Sequence, residues 1–243
     1  MSLTGQRVVV IGGSSGMGLA VARAAAAEGA HVVIAARNPE RLERARATIA
    51  GAVTSRGLDV RDEAAVKGFF EELGALDHLV STAHESSAGI GAMRTFPELE
   101  IAAARRFMDG KFWSQVIAAR YAVPTLSAHG SITLFSGVAS RKAMPRHTAI
   151  AAVNGAVEAF ARALAHEIRP RRVNVVAPGL TATPTYDSIP EKDRAAFFAA
   201  RAAHLPVGRV GTPEDIAETV LYLMNSGYST GTVVDIDGGH LVE

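Results

Sequence analysis

The sequence predicts an α/β protein: one domain built on a doubly wound parallel sheet of about seven strands, with helices on both faces. Seven apolar runs recur along the 243 residues, and they are too continuous for strands with one face in water. Alanine-rich segments with helical spacing lie between them, as the crossovers of a parallel sheet require. No linker or change of composition interrupts this alternation, so residues 1–243 are predicted to form a single domain.

Each predicted element takes its type from its own stretch of sequence. The strands are expected in RVVVIG, HVVIAA, AVTSRGLDV, DHLVST, GSITLFSG, RVNVVAPG and TVVDIDGG. The helices are expected over residues 17–28, 39–50, 62–73, 98–123, 147–168 and 213–225.

Residues 182–206 form the one insertion too long for an ordinary connection, and we expect a lid over a substrate there. The next helix has a clear start. Thr212 is placed to cap it, Pro213 takes the first helical position, and Glu214 and Asp215 complement the helix dipole.

Composition argues against several function classes. The formal net charge is +1 and the longest basic cluster is RPRR at 169–172, which is typical of a solvated helix end, so we expect no nucleic-acid partner. No segment reaches the roughly 20 apolar residues of a membrane span, and no secretory signal is visible at the N-terminus. The chain has no cysteine and shows no sign of metal use. A cytoplasmic protein is expected.

A glycine-rich loop follows the first strand in the stretch IGGSSGMGLAVARAAAAEGA. Gly12 permits a tight turn, and Gly16 and Gly18 allow a ligand and the following helix to come close. A pyrophosphate would lie on the N-terminal amides of that helix. This context predicts a Rossmann dinucleotide site, whose loop residues are Gly12, Ser14, Ser15, Gly16, Met17 and Gly18.

The end of the second strand indicates which dinucleotide is bound. A carboxylate there would hold the ribose hydroxyls of NAD and repel a 2′-phosphate. This chain has Ala36 instead, followed by Arg37, whose guanidinium suits a phosphate, and by Asn38. We therefore expect NADP(H).

Several motifs together resemble the classical short-chain dehydrogenase/reductase family over essentially the whole chain. They are GGSSGMG, LDV after the third strand, PGLTATP after the sixth, and GRVGTPEDIAETVLYL with STGTVVDIDGG at the end. The resemblance implies that Asp59 and Val60 flank the adenine and that the backbone of Ser81, Thr82 and Ala83 passes the cofactor. It also implies that residues 178–183 hold the nicotinamide carboxamide, namely Pro178, Gly179, Leu180, Thr181 and Thr183.

The catalytic positions that the resemblance implies carry other residues. The family has a serine near the end of the fifth strand, a tyrosine thirteen residues later and a lysine four beyond that, at positions that here hold Gly137, Ile150 and Asn154. The family's asparagine corresponds to Lys111. The chain also has STAH with His84 where the family usually has Asn-Asn-Ala-Gly. Ile150 cannot transfer a proton, whereas Asn154 can still hydrogen-bond a ribose.

Other side chains are candidates for the missing roles. Lys111 and His147 could transfer a proton, and Ser136 could polarise a carbonyl if the strand end shifts by one residue. His84 and Tyr186 are weaker candidates.

Two functions stay open at this point. The first is an atypical NADP(H)-dependent reductase that acts on a small carbonyl or quinone-like substrate without the usual Tyr/Lys relay. The second is a catalytically silent NADP(H)-binding sensor or scaffold. The resemblance also implies a homodimer or homotetramer.

Overall fold

The computed structural model describes residues 2–84 and 91–243, and its core is one seven-stranded sheet. The strands are β1 (Arg7–Ile11), β2 (His31–Ala36), β3 (Val53–Gly57), β4 (Leu76–Ser81), β5 (Leu126–Phe135), β6 (Arg172–Pro178) and β7 (Val233–Ile236). Every pairing is parallel, and the order is β3-β2-β1-β4-β5-β6-β7. The predicted fold class is confirmed.

Helices cover both faces of the sheet. They are α1 (Gly16–Ala27), α2 (Pro39–Ala47), α3 (Glu63–Leu73), α4 (Ile101–Met108), α5 (Ser114–Ala122), α6 (Thr148–Glu167), α7 (Glu191–Ala202) and α8 (Pro213–Asn225). One apolar core lies beneath α1 and α8, and another lies beneath α3, α5 and α6. Burial of the sheet on both faces explains why its strands are continuously apolar.

The prediction of a single helix over 98–123 is wrong. A short 3₁₀ turn precedes α4, and a π-helical turn at Asp109–Trp113 separates α4 from α5. The side chain of Ser114 donates to the carbonyl of Gly110 over 3.0 Å, and that of Gln115 donates to the carbonyl of Lys111, also over 3.0 Å. These bonds satisfy carbonyls that a regular α-helical ladder would have used.

The insertion at 182–206 contains structure that its length alone did not predict. A 3₁₀ turn at Pro184–Tyr186 leads to α7, and Tyr186 packs on Phe197 and Phe198 with ring centroids 5.7 and 5.6 Å away. Its role as a substrate lid stays a prediction.

The start of α8 is as predicted. Thr212 and Asp215 form a capping box, and Asp215 also pairs with Arg209 at 2.6 Å. This arrangement lowers the pKa of Asp215, chiefly through the hydrogen bond from Arg209. Asp215 therefore does more than complement the dipole. Across the two described ranges, no helix combines the length and apolarity needed to cross a bilayer.

Candidate active site

The main cleft lies at the carboxyl ends of β1 and β4, where the strand order reverses. The chain leaves β1 towards β2 on one side and returns through β4 on the other, which opens a crevice between the two connections. The cleft encloses about 350 Å³. This is within the range of small-molecule and cofactor sites.

The glycine loop is shaped so that backbone, not side chains, faces the cleft. Gly12 has a φ of +86°, and a Cβ there would lie 2.4 Å from Oγ1 of Thr82. A Cβ on Gly18 would lie 2.4 Å from the carbonyl oxygen of Gly12. Ser15 precedes α1 without capping it through its side chain, and the first turn of the helix lines the cleft. The amides of such a turn bind a pyrophosphate, so the loop fits a dinucleotide.

The cleft ends between β2 and β3 at a group of arginines. Arg37 and Arg41 line it beside Ala36, and Arg61 lines it from the loop after β3. Arg61 pairs with Asp59 at 2.7 Å, and the hydrogen bond from Arg61 lowers the pKa of that carboxyl. Arg41 and Arg61 were not predicted. The spacing of four residues between Arg37 and Arg41 could have indicated Arg41.

Most of the predicted cofactor residues line this cleft. They are Gly12, Ser14, Ser15, Gly16, Met17, Gly18, Arg37, Asn38, Asp59, Val60, Thr82, Ala83 and Thr183. The lining residues absent from the prediction of the cofactor site are Ile11, Ala36, Arg41, Leu58, Arg61, His84, Gly110, Pro184, Thr185 and Asp187. The side chain of Asn38 accepts a hydrogen bond from the amide of Arg41 over 2.8 Å, so it caps α2 as well.

Six predicted cofactor residues do not line the cleft: Ser81, Asn154, Pro178, Gly179, Leu180 and Thr181. Ser81 is buried at the end of β4. The amide of Gly179 donates to the carbonyl of Ile236 in β7 over 2.9 Å, which joins the turn after β6 to the sheet. Asn154 is buried, and its side-chain nitrogen donates to the carbonyl of Gly137 over 3.2 Å.

Three residues at intervals of four share one buried face of α6: Ile150, Asn154 and Glu158. Ile150 is 8% exposed and belongs to an apolar cluster that includes Phe107 and Ala139. No member of this cluster in the part of the chain that the structure describes is a proton donor.

Lys111 extends from the π turn to the same face. Its Nζ donates to Oδ1 of Asn154 over 2.7 Å and to the carbonyl of Ser136 over 2.8 Å. Burial lowers the pKa of Lys111 to about 8, while the charge of Glu158 acts in the opposite direction. The structure therefore brings together three of the predicted site residues, Lys111, Asn154 and the backbone of Ser136.

The side chain of Ser136 is directed elsewhere. Its hydroxyl donates to Oε1 of Glu158 over 2.9 Å, and that carboxylate also accepts from Ser140 and from Arg141 at 2.6 and 2.9 Å. Nothing in this arrangement supports a role for Ser136 in polarising a carbonyl. Glu158 was not predicted; a carboxylate four residues after Asn154 on an apolar helix face was the available indication.

The remaining candidates are His147, His84 and Tyr186. His147 precedes α6, and its Nδ1 is 2.7 Å from the carbonyl of Pro145. His84 lines the cleft with its Nδ1 3.2 Å from the carbonyl of Thr82. The pKa of His84 is lowered to about 4, first by desolvation in the surrounding protein and second by the charge of Lys111. The ring is therefore neutral at pH 7, although His84 is exposed in the cleft. Burial raises the pKa of Tyr186.

No group of three or more acidic or histidine side chains in residues 2–84 and 91–243 is arranged to hold a metal ion.

The fold and the glycine loop at the cleft are together typical of a nicotinamide-dependent oxidoreductase. A family model described as enoyl-(acyl carrier protein) reductase matches residues 11–240. The chain belongs to the short-chain dehydrogenase/reductase family.

Two relatives illustrate the range of the family. The short-chain dehydrogenase/reductase ATR9 of Stachybotrys chlorohalonatus is 34% identical, with 100% of this chain and 99% of the relative covered. A Xanthobacter autotrophicus relative is 35% identical over 90% of this chain and 98% of its own length, and it is described as an inactive 2-(S)-hydroxypropyl-CoM dehydrogenase 2.

Two solved structures match over nearly the full length. A small-chain dehydrogenase in complex with NADPH is 38% identical with a TM-score of 0.83, covering 98% of this chain and 100% of its own. An NADPH-bound short-chain oxidoreductase from Pseudomonas aeruginosa PAO1, described as containing an atypical catalytic centre, is 30% identical with a TM-score of 0.89, covering 97% and 96%.

Proposed function

We propose that the protein is an NADPH-dependent reductase of a small, activated acceptor, such as a quinone or an α-dicarbonyl, and that it works without a tyrosine proton donor. The observation that carries this proposal is the apolar residue Ile150 on the buried face of α6, in a protein whose glycine-loop cleft is intact. The family supplies nicotinamide chemistry, and this face of α6 restricts which acceptors can use it.

The preference for NADPH is supported by charge. Ala36 provides no carboxylate at the ribose, and Arg37 and Arg41 line that end of the cleft. Guanidinium groups bind phosphate through charge-assisted hydrogen bonds. Relatives of known structure bind NADPH, which agrees with this assignment.

The choice of acceptor follows from the proton. Bound NADPH supplies a hydride. When the hydride reaches a simple ketone, the oxygen becomes an alkoxide, which is a high-energy ion unless a positioned acid protonates it. A quinone that accepts the hydride becomes a hydroquinone monoanion with delocalised charge, and water can then supply the second hydrogen as a proton.

A turnover screen tests the proposal. NADPH oxidation is measured with quinones, with α-dicarbonyls and with unactivated ketones, and the reverse reaction is measured with plain secondary alcohols. We expect turnover with the first two classes and little with the others, since a general acid typically contributes about 10²–10⁴-fold. Efficient oxidation of a plain secondary alcohol would contradict the proposal.

A second function, a silent NADP(H) sensor or scaffold, is favoured by the apolar packing around Ile150 and by the relative described as inactive. It predicts tight NADPH binding with no turnover of any acceptor. The same screen, run beside a binding titration, separates the two functions.

We also propose that the protein assembles as a homodimer or homotetramer in the cytoplasm. Exposed apolar side chains on and beside α4 and α5 support this, namely Phe96, Ile101 and Trp113. Light scattering at micromolar concentration is expected to give twice or four times the mass of 25.4 kDa. A monomeric mass would rule the assembly out.

A further inference from the structure

We propose that Lys111 and Asn154 are an exchanged pair, in which the amine of Lys111 provides the positive charge beside the cofactor ribose and Asn154 holds that amine in place. The inference rests on the proposed cofactor and not on turnover. It assigns a cofactor-positioning role to a residue outside the helix from which the family supplies its lysine.

The side chain of Lys111 begins at the wall of the cleft and ends at two hydrogen-bond acceptors. Gly110, the residue before Lys111, lines the cleft. From there the side chain reaches the end of β5 and α6, where Ser136 and Asn154 accept its two hydrogen bonds. The nitrogen of Asn154 donates to Gly137, so the orientation of its amide is fixed and its oxygen faces the amine.

The π turn directs Lys111 to this position. The carbonyl of Lys111 accepts from the side chain of Gln115, which also exchanges two hydrogen bonds with the backbone of Phe135 at 3.0 and 2.8 Å. The turn is therefore fastened to the end of β5. A single-turn π-helix of this kind often marks a functional position.

The charge of the amine has no counter-ion among the described residues. Within the described residues, no carboxylate lies within 4 Å of its Nζ, and Glu158, the nearest carboxylate on the same face, is already bound by Ser136, Ser140 and Arg141. An ammonium group has three donors, of which two are used here. A partly buried cation without a paired anion is costly, so a ligand that supplies acceptor oxygens and negative charge is expected to bind it.

The first test is a double-mutant cycle read by cofactor binding. Kd values for NADPH and NADH are measured by fluorescence for Lys111→Asn, Asn154→Lys and the combined exchange, with Lys67→Asn, an exposed lysine on α3, as the control. We expect each single variant to weaken both cofactors by about tenfold or more. The exchange should recover most of that loss because it places the amine on α6, and the control should bind as the unaltered protein does.

Arg37→Ala separates this role from recognition of the 2′-phosphate, because it should weaken NADPH and leave NADH nearly unchanged. Equal affinities in the unaltered protein and in Lys111→Asn would overturn the proposal. A combined exchange no better than the two singles would also overturn it.

The second test is the pH dependence of binding. The ionisable groups of the described residues that act on the amine are Glu158 from α6 and His84 from the loop after β4. Because the pKa of Lys111 is lowered to about 8, the amine loses its charge between pH 7 and 9.5. We expect NADH affinity to fall several-fold over that range in the unaltered protein and to stay flat in Lys111→Met. Parallel curves for the two proteins would contradict a charged role for the amine.

A gain-of-function variant adds a test that leaves the pair intact. Ile150→Tyr places a phenol one helical turn from Asn154, and Ile150→Phe controls for its size. If the Lys111 amine takes the place of the family's lysine, Ile150→Tyr should reduce simple ketones only when Lys111 is present. Ketone activity that survives in Ile150→Tyr/Lys111→Met would count against the exchange. Silence of the unaltered protein with every acceptor would count against the proposed reductase, and the binding tests would stand independently.

Discussion

The glycine loop and the buried face of α6 tolerate change very differently. The loop is determined by backbone sterics: a single methyl group at Gly12 or Gly18 would lie 2.4 Å from an oxygen. The chemical properties of the buried face of α6 depend on its side chains. Ile150 and Asn154 occupy ordinary helical positions, where other side chains would also fit the backbone. Binding of a dinucleotide is therefore encoded in the shape of the backbone, whereas the chemistry depends on replaceable side chains.

The largest effect should come from the loop. Gly18→Ala would force its Cβ against the carbonyl of Gly12, so we expect NADPH binding to fall below detection. Gly68→Ala is the matched control, because Gly68 lies in α3 with nothing within 4 Å of a new Cβ. Calorimetry should show unchanged NADPH binding for the control and a stability gain of about 0.5–1 kcal/mol. Normal NADPH binding by Gly18→Ala would show that backbone sterics at Gly18 do not determine dinucleotide binding.

A smaller effect, selective for NADPH, is expected at the end of the cleft that Arg37 and Arg41 line. Arg37→Ala should weaken NADPH by about 1.5–3 kcal/mol, the contribution of a charged hydrogen bond, and should barely alter NADH. Arg41→Ala should act in the same direction but more weakly if it is a second phosphate contact, as its place in the cleft suggests. Equal losses for NADPH and NADH would identify Arg37 as a structural residue.

The smallest effect concerns the free energy of unfolding when the charge of Lys111 is lost. Loss of this charge should favour the folded state, although it should weaken cofactor binding. The folded-state pKa of Lys111, about 8, lies below its usual 10.5, so charging this amine disfavours the folded state. This cost is fully present below pH 8 and disappears as the pH rises through 8 to 10.5. Lys111→Met is free of this cost, so its stability relative to that of the unaltered protein should be higher at pH 7 than at pH 10.5.

Denaturant titrations at pH 7 and pH 10.5 measure this difference. The relative stability of Lys111→Met should be lower at the higher pH. A relative stability that does not change with pH would show that the amine is not desolvated in the folded protein.

Sequence alone predicted the fold because the parallel sheet, the crossover helices and the glycine loop each leave a local pattern. It also placed the loop residues and Arg37 in the cofactor cleft. The break at Asp109–Trp113 was not predictable, since it depends on Gln115 bonding to β5, a contact across 20 residues. The Lys111–Asn154 contact was also not predictable from the sequence, because 43 residues separate the two partners. Periodicity reports on neighbours along one element, not on polar contacts between elements.

The glycine loop and the insertion that follows β6 also approach each other. A Cβ on Gly16 would lie 3.4 Å from Cδ of Pro184, at the point where the insertion begins, and Pro184, Thr185 and Asp187 form part of the wall of the cleft. A dinucleotide would thus be held between the loop and the insertion, and an acceptor bound beneath the insertion would obstruct its way out. We therefore predict that the nucleotide enters first and leaves last, so that an unproductive acceptor slows nucleotide release.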